Sequence, residues 1–244
     1  MHNLVIDIGN TNSKLAVFDH QNMVHFQRLK ELDEISLQSL IETYQVKNAT
    51  VSSVSRDVTA LGNFLSRSVR YTPFTTAINT GIKNHYKTQP TLGLDRWAKV
   101  IAAKGLYAGT NCLMIDMGTC ITYDVLTANS EYFGGSISLG INMRFKALNH
   151  YTGRLPLIDW DKEEIIPEGT DTANAIKSGV LLGVLNEVEG FIASENKKYN
   201  DLKVIITGGD ADFLSKQLKN SIFAPQIINE PYLVLKGLNE VFIH

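Results

Sequence analysis

The feature that most restricts this chain is a short pattern that occurs twice. Near the start, Leu4-Val5-Ile6-Asp7-Ile8-Gly9-Asn10-Thr11-Asn12-Ser13-Lys14-Leu15-Ala16-Val17-Phe18 sets two apolar runs around Gly, Asn and Thr. Residues Leu113-Met114-Ile115-Asp116-Met117-Gly118-Thr119-Cys120-Ile121-Thr122-Tyr123-Asp124-Val125-Leu126 restate it, with Asp116 in the place of Asp7 and Gly118 in that of Gly9. Short apolar runs read as buried strands, and the turn formers between them close a hairpin. The copies lie 109 residues apart in a chain of 244, close to half its length. That spacing predicts two related halves rather than a solenoid of many repeats.

Between and after the hairpins the apolar period becomes helical. Asp33 reads as a cap ahead of Leu37, Leu40, Ile41 and Tyr44, which share one face. A strand is expected over Asn48 to Ser55, and an amphipathic helix through Val58, Leu61, Leu65 and Val69. Trp97, Val100 and Ile101 mark another helix after Asp95-Arg96. A long helix is expected over about Thr172 to Ser194, then a strand at Leu202 to Thr207, a Gly208-Gly209 turn and a short helix from Ala211 to Leu218. Strands alternating with helices predict an α/β architecture. The junction is expected near Tyr107-Ala108-Gly109-Thr110, giving an N-terminal domain of residues 1–109 and a C-terminal domain of residues 110–244. Gly179-x-x-x-Gly183 suggests a closely packed helix, read as an intradomain contact ahead of an interface.

Composition removes several classes of function. Lys and Arg number 23 against 25 Asp and Glu, for a net charge of −2. No basic field or helix-turn-helix is present to hold nucleic acid. No apolar run approaches the roughly 20 residues that span a bilayer, so no membrane partner is expected. Met1-His2-Asn3 does not open a signal peptide, which points to the cytoplasm. Cys112 and Cys120 are too few for a disulfide scaffold and read as reduced thiols. The histidines (His2, His20, His25, His85, His150 and His244) are scattered, without zinc-site spacing.

The chemistry is sought at the turns. A Gly in the turn after Asp7 lets backbone N–H groups approach an anion, and Thr11 and Asn12 add side-chain donors. Asp7, at the end of a buried strand, suits Mg²⁺, directly or through water. Asp116-Met117-Gly118-Thr119 repeats the arrangement, and Thr207-Gly208-Gly209-Asp210 adds a third glycine turn after a strand. Each turn alone reads more readily as a plain turn whose acid serves its own backbone; the recurrence favours a phosphate clamp.

Taken together, these turns resemble the sugar kinase and actin nucleotide-binding superfamily. That resemblance implies two ribonuclease-H-like domains with an interdomain nucleotide cleft. Within it the chain is similar to type III pantothenate kinases along nearly its whole length. The likeness is carried by Asp7-x-Gly9-Asn10-Thr11, Tyr86 with Gly93-Leu94-Asp95-Arg96, Asp116-x-Gly118-Thr119, Gly134-Gly135, Leu155-Pro156, Gly169-Thr170-Asp171-Thr172, Thr207-Gly208-Gly209 and Leu235-Lys236-Gly237-Leu238.

The resemblance implies ATP-dependent phosphorylation of pantothenate to 4′-phosphopantothenate, the first step of coenzyme A biosynthesis. It makes Asp95 the catalytic base, a role suited to a carboxylate within reach of the hydroxyl. Tyr86, Gly93, Leu94, Asp95, Arg96 and Thr172 become substrate contacts. Asp7, Ile8, Gly9, Asn10, Thr11, Asn12, Ser13, Lys14 and Thr119 become ATP contacts. Asp116 is implied to ligate a monovalent cation, K⁺ or NH₄⁺. A homodimer is implied, with the substrate site at its interface and Thr172 contributed across it. Two alternatives stand beside this: an exopolyphosphatase-like phosphohydrolase, and a regulatory accessory protein on the same fold. From the residues alone, Asp95 could instead cap a helix starting at Arg96 and Trp97. One departure from the family pattern is Leu139, where a loop proline is common; Cys120, Ile121 and Leu94 are others.

Overall fold

A computed structural model describes residues 1–53 and 56–243. The chain runs β1 (His2–Ile8), β2 (Ser13–Asp19), β3 (Asn22–Leu29), α1 (Glu34–Thr43), β4 (Asn48–Ser53), α2 (Thr59–Ser68), β5 (Arg70–Tyr71), β6 (Lys83–Asn84) and α3 (Leu94–Leu106). It continues with β7 (Cys112–Met117), β8 (Cys120–Leu126), β9 (Glu131–Leu139), α4 (Ile141–His150), α5 (Thr172–Asn196), β10 (Lys203–Thr207), α6 (Ala211–Gln217), β11 (Ile227–Asn229) and α7 (Leu233–Asn239). The strand expected over Asn48 to Ser55 is present from Asn48 to Ser53; its last two positions, like His244, lie outside the described residues. Two compact units result. One holds Met1–Gly109, Ser130–Phe133 and the stretch from Tyr232 onward; the other holds Thr110–Asn129 and Gly134–Pro231.

In the first unit the sheet order is β3-β2-β1-β4-β5. β1 and β2 are antiparallel, as are β2 and β3, while β4 and β5 run parallel to β1. Leu4, Ile6 and Ile8 of β1 and Ala49 and Val51 of β4 turn to one face, where they meet Leu37 and Ile41 of α1 and Leu65 of α2. Asp33 caps α1 as its position suggested, accepting from the Ser36 N–H at 2.8 Å. The opposite face carries Asn3, whose amide donates to Asn239 of α7 at 2.9 Å. On that side α3 and α7 pack together. A β-carbon on Gly237 would fall 1.8 Å from the Ala98 carbonyl oxygen, so glycine permits this backbone approach.

The second unit repeats the plan. Its strands lie in the order β11-β10-β7-β8-β9, the same sequence of hairpin, third strand and two crossover strands. β7 and β8 are antiparallel, and β10 and β11 run parallel to β7. The core joins Leu113, Ile115, Val204 and Ile206 to α5 through Val180, Val184, Val188 and Ile192, a stripe at helical spacing. At β9 a β-carbon on Gly135 would lie 1.7 Å from the Tyr123 carbonyl oxygen. Only glycine lets β9 pass there. The chain is an α/β protein built of two ribonuclease-H-like domains.

Candidate active site

In the first unit, β1 and β2 pair from His2↔Asp19 to Ile8↔Ser13, with Asp7 opposite Lys14. The Gly9 N–H donates to the Asn12 carbonyl at 3.2 Å and closes the turn. A β-carbon on Gly9 would sit 3.2 Å from the same oxygen, so the turn is tight. Asp7 and Ser13 are buried at its base, Gly9, Asn12 and Lys14 are half-buried, and Asn10 and Thr11 are exposed at its tip. The turn thus presents polar groups outward on a buried acidic base, an arrangement that suits an anion accompanied by a cation.

The Gly93–Arg96 segment opens α3 in the same unit. The helix starts at Leu94 with Gly93 as its N-cap and no side-chain cap bond. The alternative in which Asp95 caps a helix beginning at Arg96 is therefore corrected: Asp95 lies within the first turn. Its carboxylate is left free of capping. A β-carbon on Gly93 would come 2.6 Å from Asp95 Oδ1, so glycine leaves room for the carboxylate where it stands. The Arg96 guanidinium carbon lies 5.7 Å from the Tyr86 ring centroid. Tyr86 in turn stacks on buried Tyr132, centroids 6.3 Å apart. Tyr86, Gly93, Leu94, Asp95 and Arg96 are brought into one neighbourhood: an aromatic platform, a buried guanidinium and a carboxylate.

In the second unit Asp116 is opposite Thr122 in the β7–β8 hairpin and beside Thr207 of the parallel strand β10. The Gly118 N–H donates to the Cys120 carbonyl at 3.1 Å, and the Gly140 N–H to the Thr119 carbonyl at 3.1 Å. Thr119 itself is exposed. The third glycine turn closes on the same place. Gly208 has φ +99°, and a β-carbon there would meet Asp116 Oδ1 at 2.5 Å and the Met117 backbone at 2.7 Å. The Asp210 N–H donates to the Met117 carbonyl at 2.9 Å. Asp116, Thr119 and the Gly208 turn form one cluster.

Thr172 is elsewhere in that unit. It is exposed at the start of α5, whose N-cap Asp171 accepts from the Asn174 N–H at 2.9 Å. With Leu148, Ile176, Gly179 and Val180 it lines a largely apolar groove of about 760 Å³ between α4 and α5. Gly179 corrects another expectation. A β-carbon there would meet nothing within 4 Å, and one on Gly183 would only reach Arg144 at 4.0 Å. The close contact expected at Gly179-x-x-x-Gly183 is not made within this unit, because this face of α5 borders the groove.

Sequence reasoning missed the side chains that secure the Leu139–Gly140 turn. Arg144 Nε donates to the Leu139 carbonyl at 2.9 Å, and its guanidinium pairs with Glu187 of α5. Glu187 also accepts from Tyr123 Oη at 2.8 Å and from Ser138 Oγ at 3.2 Å. Burial and this carboxylate push the Tyr123 phenol far above its usual range. The charged clamp stands where the missing proline would have acted. The departure at Leu139 was the available signal. Both cysteines are free. Burial raises the Cys112 thiol to about 11, which makes it inert.

Comparison with known proteins identifies the family. The model of the type III pantothenate kinase family matches residues 3–194. A type III pantothenate kinase of Bacteroides fragilis is 42% identical over 245 residues, covering 98% of this chain and 96% of that protein. One from Phocaeicola vulgatus is 40% identical, covering 98% and 97%. Among solved structures, a Campylobacter jejuni protein named for the Baf family of transcriptional activators superposes with TM-score 0.62 at 20% identity, covering 98% of this chain and 96% of that one. The activator of 2-hydroxyisocaproyl-CoA dehydratase from Clostridium difficile, with bound ADPNP, gives TM-score 0.53 at 12% identity, covering 100% and 93%. These two likenesses speak to the fold. The match over most of the chain and the near-complete relatives establish the rest: the chain belongs to the type III pantothenate kinase family.

Proposed function

We propose that this chain transfers the γ-phosphoryl group of ATP to the primary hydroxyl of pantothenate, giving ADP and 4′-phosphopantothenate. The observation that carries this reading is the Gly93–Arg96 segment: a carboxylate free of any capping duty, beside a buried guanidinium and an aromatic platform. In the proposed reaction Asp95 accepts the hydroxyl proton as the oxygen bonds to phosphorus and the bond from phosphorus to the ADP oxygen breaks. Tyr86 and Arg96, with Gly93 and Leu94, position pantothenate. Phosphoryl transfer needs mainly positioning and charge stabilisation, and fixed groups supply both.

Asp7 to Lys14 are assigned to ATP, and Thr119 to its phosphates. Among the described residues no group of three or more His, Cys, Asp or Glu could hold a metal. Single carboxylates fit Mg²⁺, which keeps its waters and binds chiefly through phosphate. Asp7 would hold Mg²⁺, directly or through water, and Asp116 would hold K⁺ or NH₄⁺. When bound, these cations neutralise charge on the phosphates. A homodimer, with Thr172 reaching the partner's substrate site, is supported by the apolar α4–α5 groove and the open face at Gly179. Two free cysteines support a reducing, cytoplasmic setting. No helix among the described residues is long and apolar enough to cross a membrane.

The test is product identification. Incubation with ATP, Mg²⁺ and pantothenate is expected to yield pantothenate carrying one phosphate on its primary hydroxyl, read by mass spectrometry. Inorganic phosphate with unmodified pantothenate would instead indicate a phosphohydrolase.

A further inference from the structure

One buried hydroxyl in the first unit stands without a hydrogen-bond partner among the described residues. It is the Oγ of Ser52 on β4, a fully buried residue. Its neighbours on the same strand face are satisfied. Asn48 donates to Asn3 at 2.9 Å, and Thr50 Oγ1 donates to the Thr72 carbonyl at 2.7 Å. A buried hydroxyl without a partner is costly and calls for an explanation.

The register supplies one. β1 and β4 are parallel, with Asp7 paired to Ser52. Ile6, Ile8 and Val51 enter the core beneath α1 and α2. Strand alternation therefore places Asp7 and Ser52 together on the other face. The Asn3–Asn48 bond, between another register pair of the same two strands, shows that such pairs meet there. Neighbouring strands lie about 4.8 Å apart, a separation that one hydroxyl or one water bridges.

We propose that Ser52 is a positioning residue for the cation site at Asp7. Its hydroxyl holds a water of hydrated Mg²⁺ against the Asp7 carboxylate when the Mg²⁺–nucleotide complex binds. This rests on the assignment of Asp7 to Mg²⁺ above. It gives a reason for a polar side chain at a position where alanine would leave no unsatisfied group. Partners of this kind around a ligating group typically change metal affinity by about 10–100-fold.

The test compares wild type with Ser52→Ala by calorimetry, using a non-hydrolysable ATP analogue with Mg²⁺ and again with EDTA. Melting of the ligand-free proteins checks folding, and the variant is expected to melt no lower than wild type. In Mg²⁺ the variant should bind the analogue about tenfold more weakly; in EDTA the two should be equal. Equal affinity in Mg²⁺, or equal weakening in both conditions, would overturn the proposal and leave Ser52 a packing residue. Wild-type binding that is indifferent to Mg²⁺ would overturn the Asp7 assignment and the proposal with it. Turnover of wild type with pantothenate is read separately, so failure of the acceptor assignment remains distinguishable.

Discussion

The space above Gly93 decides where the Asp95 carboxylate can stand, since a β-carbon there would press on Oδ1 at 2.6 Å. Gly93 has φ −55°, which alanine adopts without strain. Gly93→Ala should therefore fold but displace the carboxylate. Turnover should drop at least tenfold while the melting temperature changes by only a few degrees, an order of effect consistent with misplacing the proposed catalytic group. Asp95→Asn removes the proposed base without changing its shape. Turnover should fall by about 10²–10⁴, with ATP affinity unchanged in calorimetry. Near-normal turnover would refute the role. Tyr86 and the Gly93–Arg96 segment were singled out by their resemblance to the family pattern, and the structure brings Arg96 over the Tyr86 ring. The pairing of Ser52 with Asp7 was not legible, because a serine in a strand carries no local sign of its cross-strand neighbour.

At the scale of elements, α5 begins on a designed stop. Asp171 accepts from the Asn174 N–H at 2.9 Å and from its side-chain amide at 2.6 Å. The backbone bond, chiefly, holds the Asp171 carboxyl below the ordinary 3.8. A carboxyl depressed in the folded state stabilises above its unfolded value, and that contribution fades as pH falls through the folded one. Asp171→Ala should lower the melting temperature at pH 7. The difference should persist down to about pH 4 and shrink below it. A difference constant to pH 2 would contradict the cap. Most helices and strands were legible from their apolar periods. α4 was not, because it buries only Ile141 and Phe145. β9 was not, because Phe133, Ile137 and Leu139 are exposed on it and two glycines interrupt it. Where a loop proline is common, Leu139 stands here instead, and the Arg144–Glu187 clamp holds this turn from another element.

For the whole molecule, the sequence repeat corresponds to a repeat of topology. β3-β2-β1-β4-β5 and β9-β8-β7-β10-β11 are the same order, and Asp7 and Asp116 occupy the same place in each. This duplication could be read from two hairpins, because a strand-turn-strand pattern is local. The docking of α7 against α3 could not, since more than a hundred residues separate them. The Leu235-Lys236-Gly237-Leu238 motif acquires a physical reason only in the structure, where Gly237 meets Ala98. The duplicated frame is proposed to serve phosphoryl transfer to pantothenate. The measurement that tests it most directly is coupled ADP release with ATP and Mg²⁺, with and without pantothenate, in K⁺ and in Na⁺ alone. ADP release that requires pantothenate and rises with K⁺ is the predicted result. ADP release at the same rate without pantothenate would contradict it.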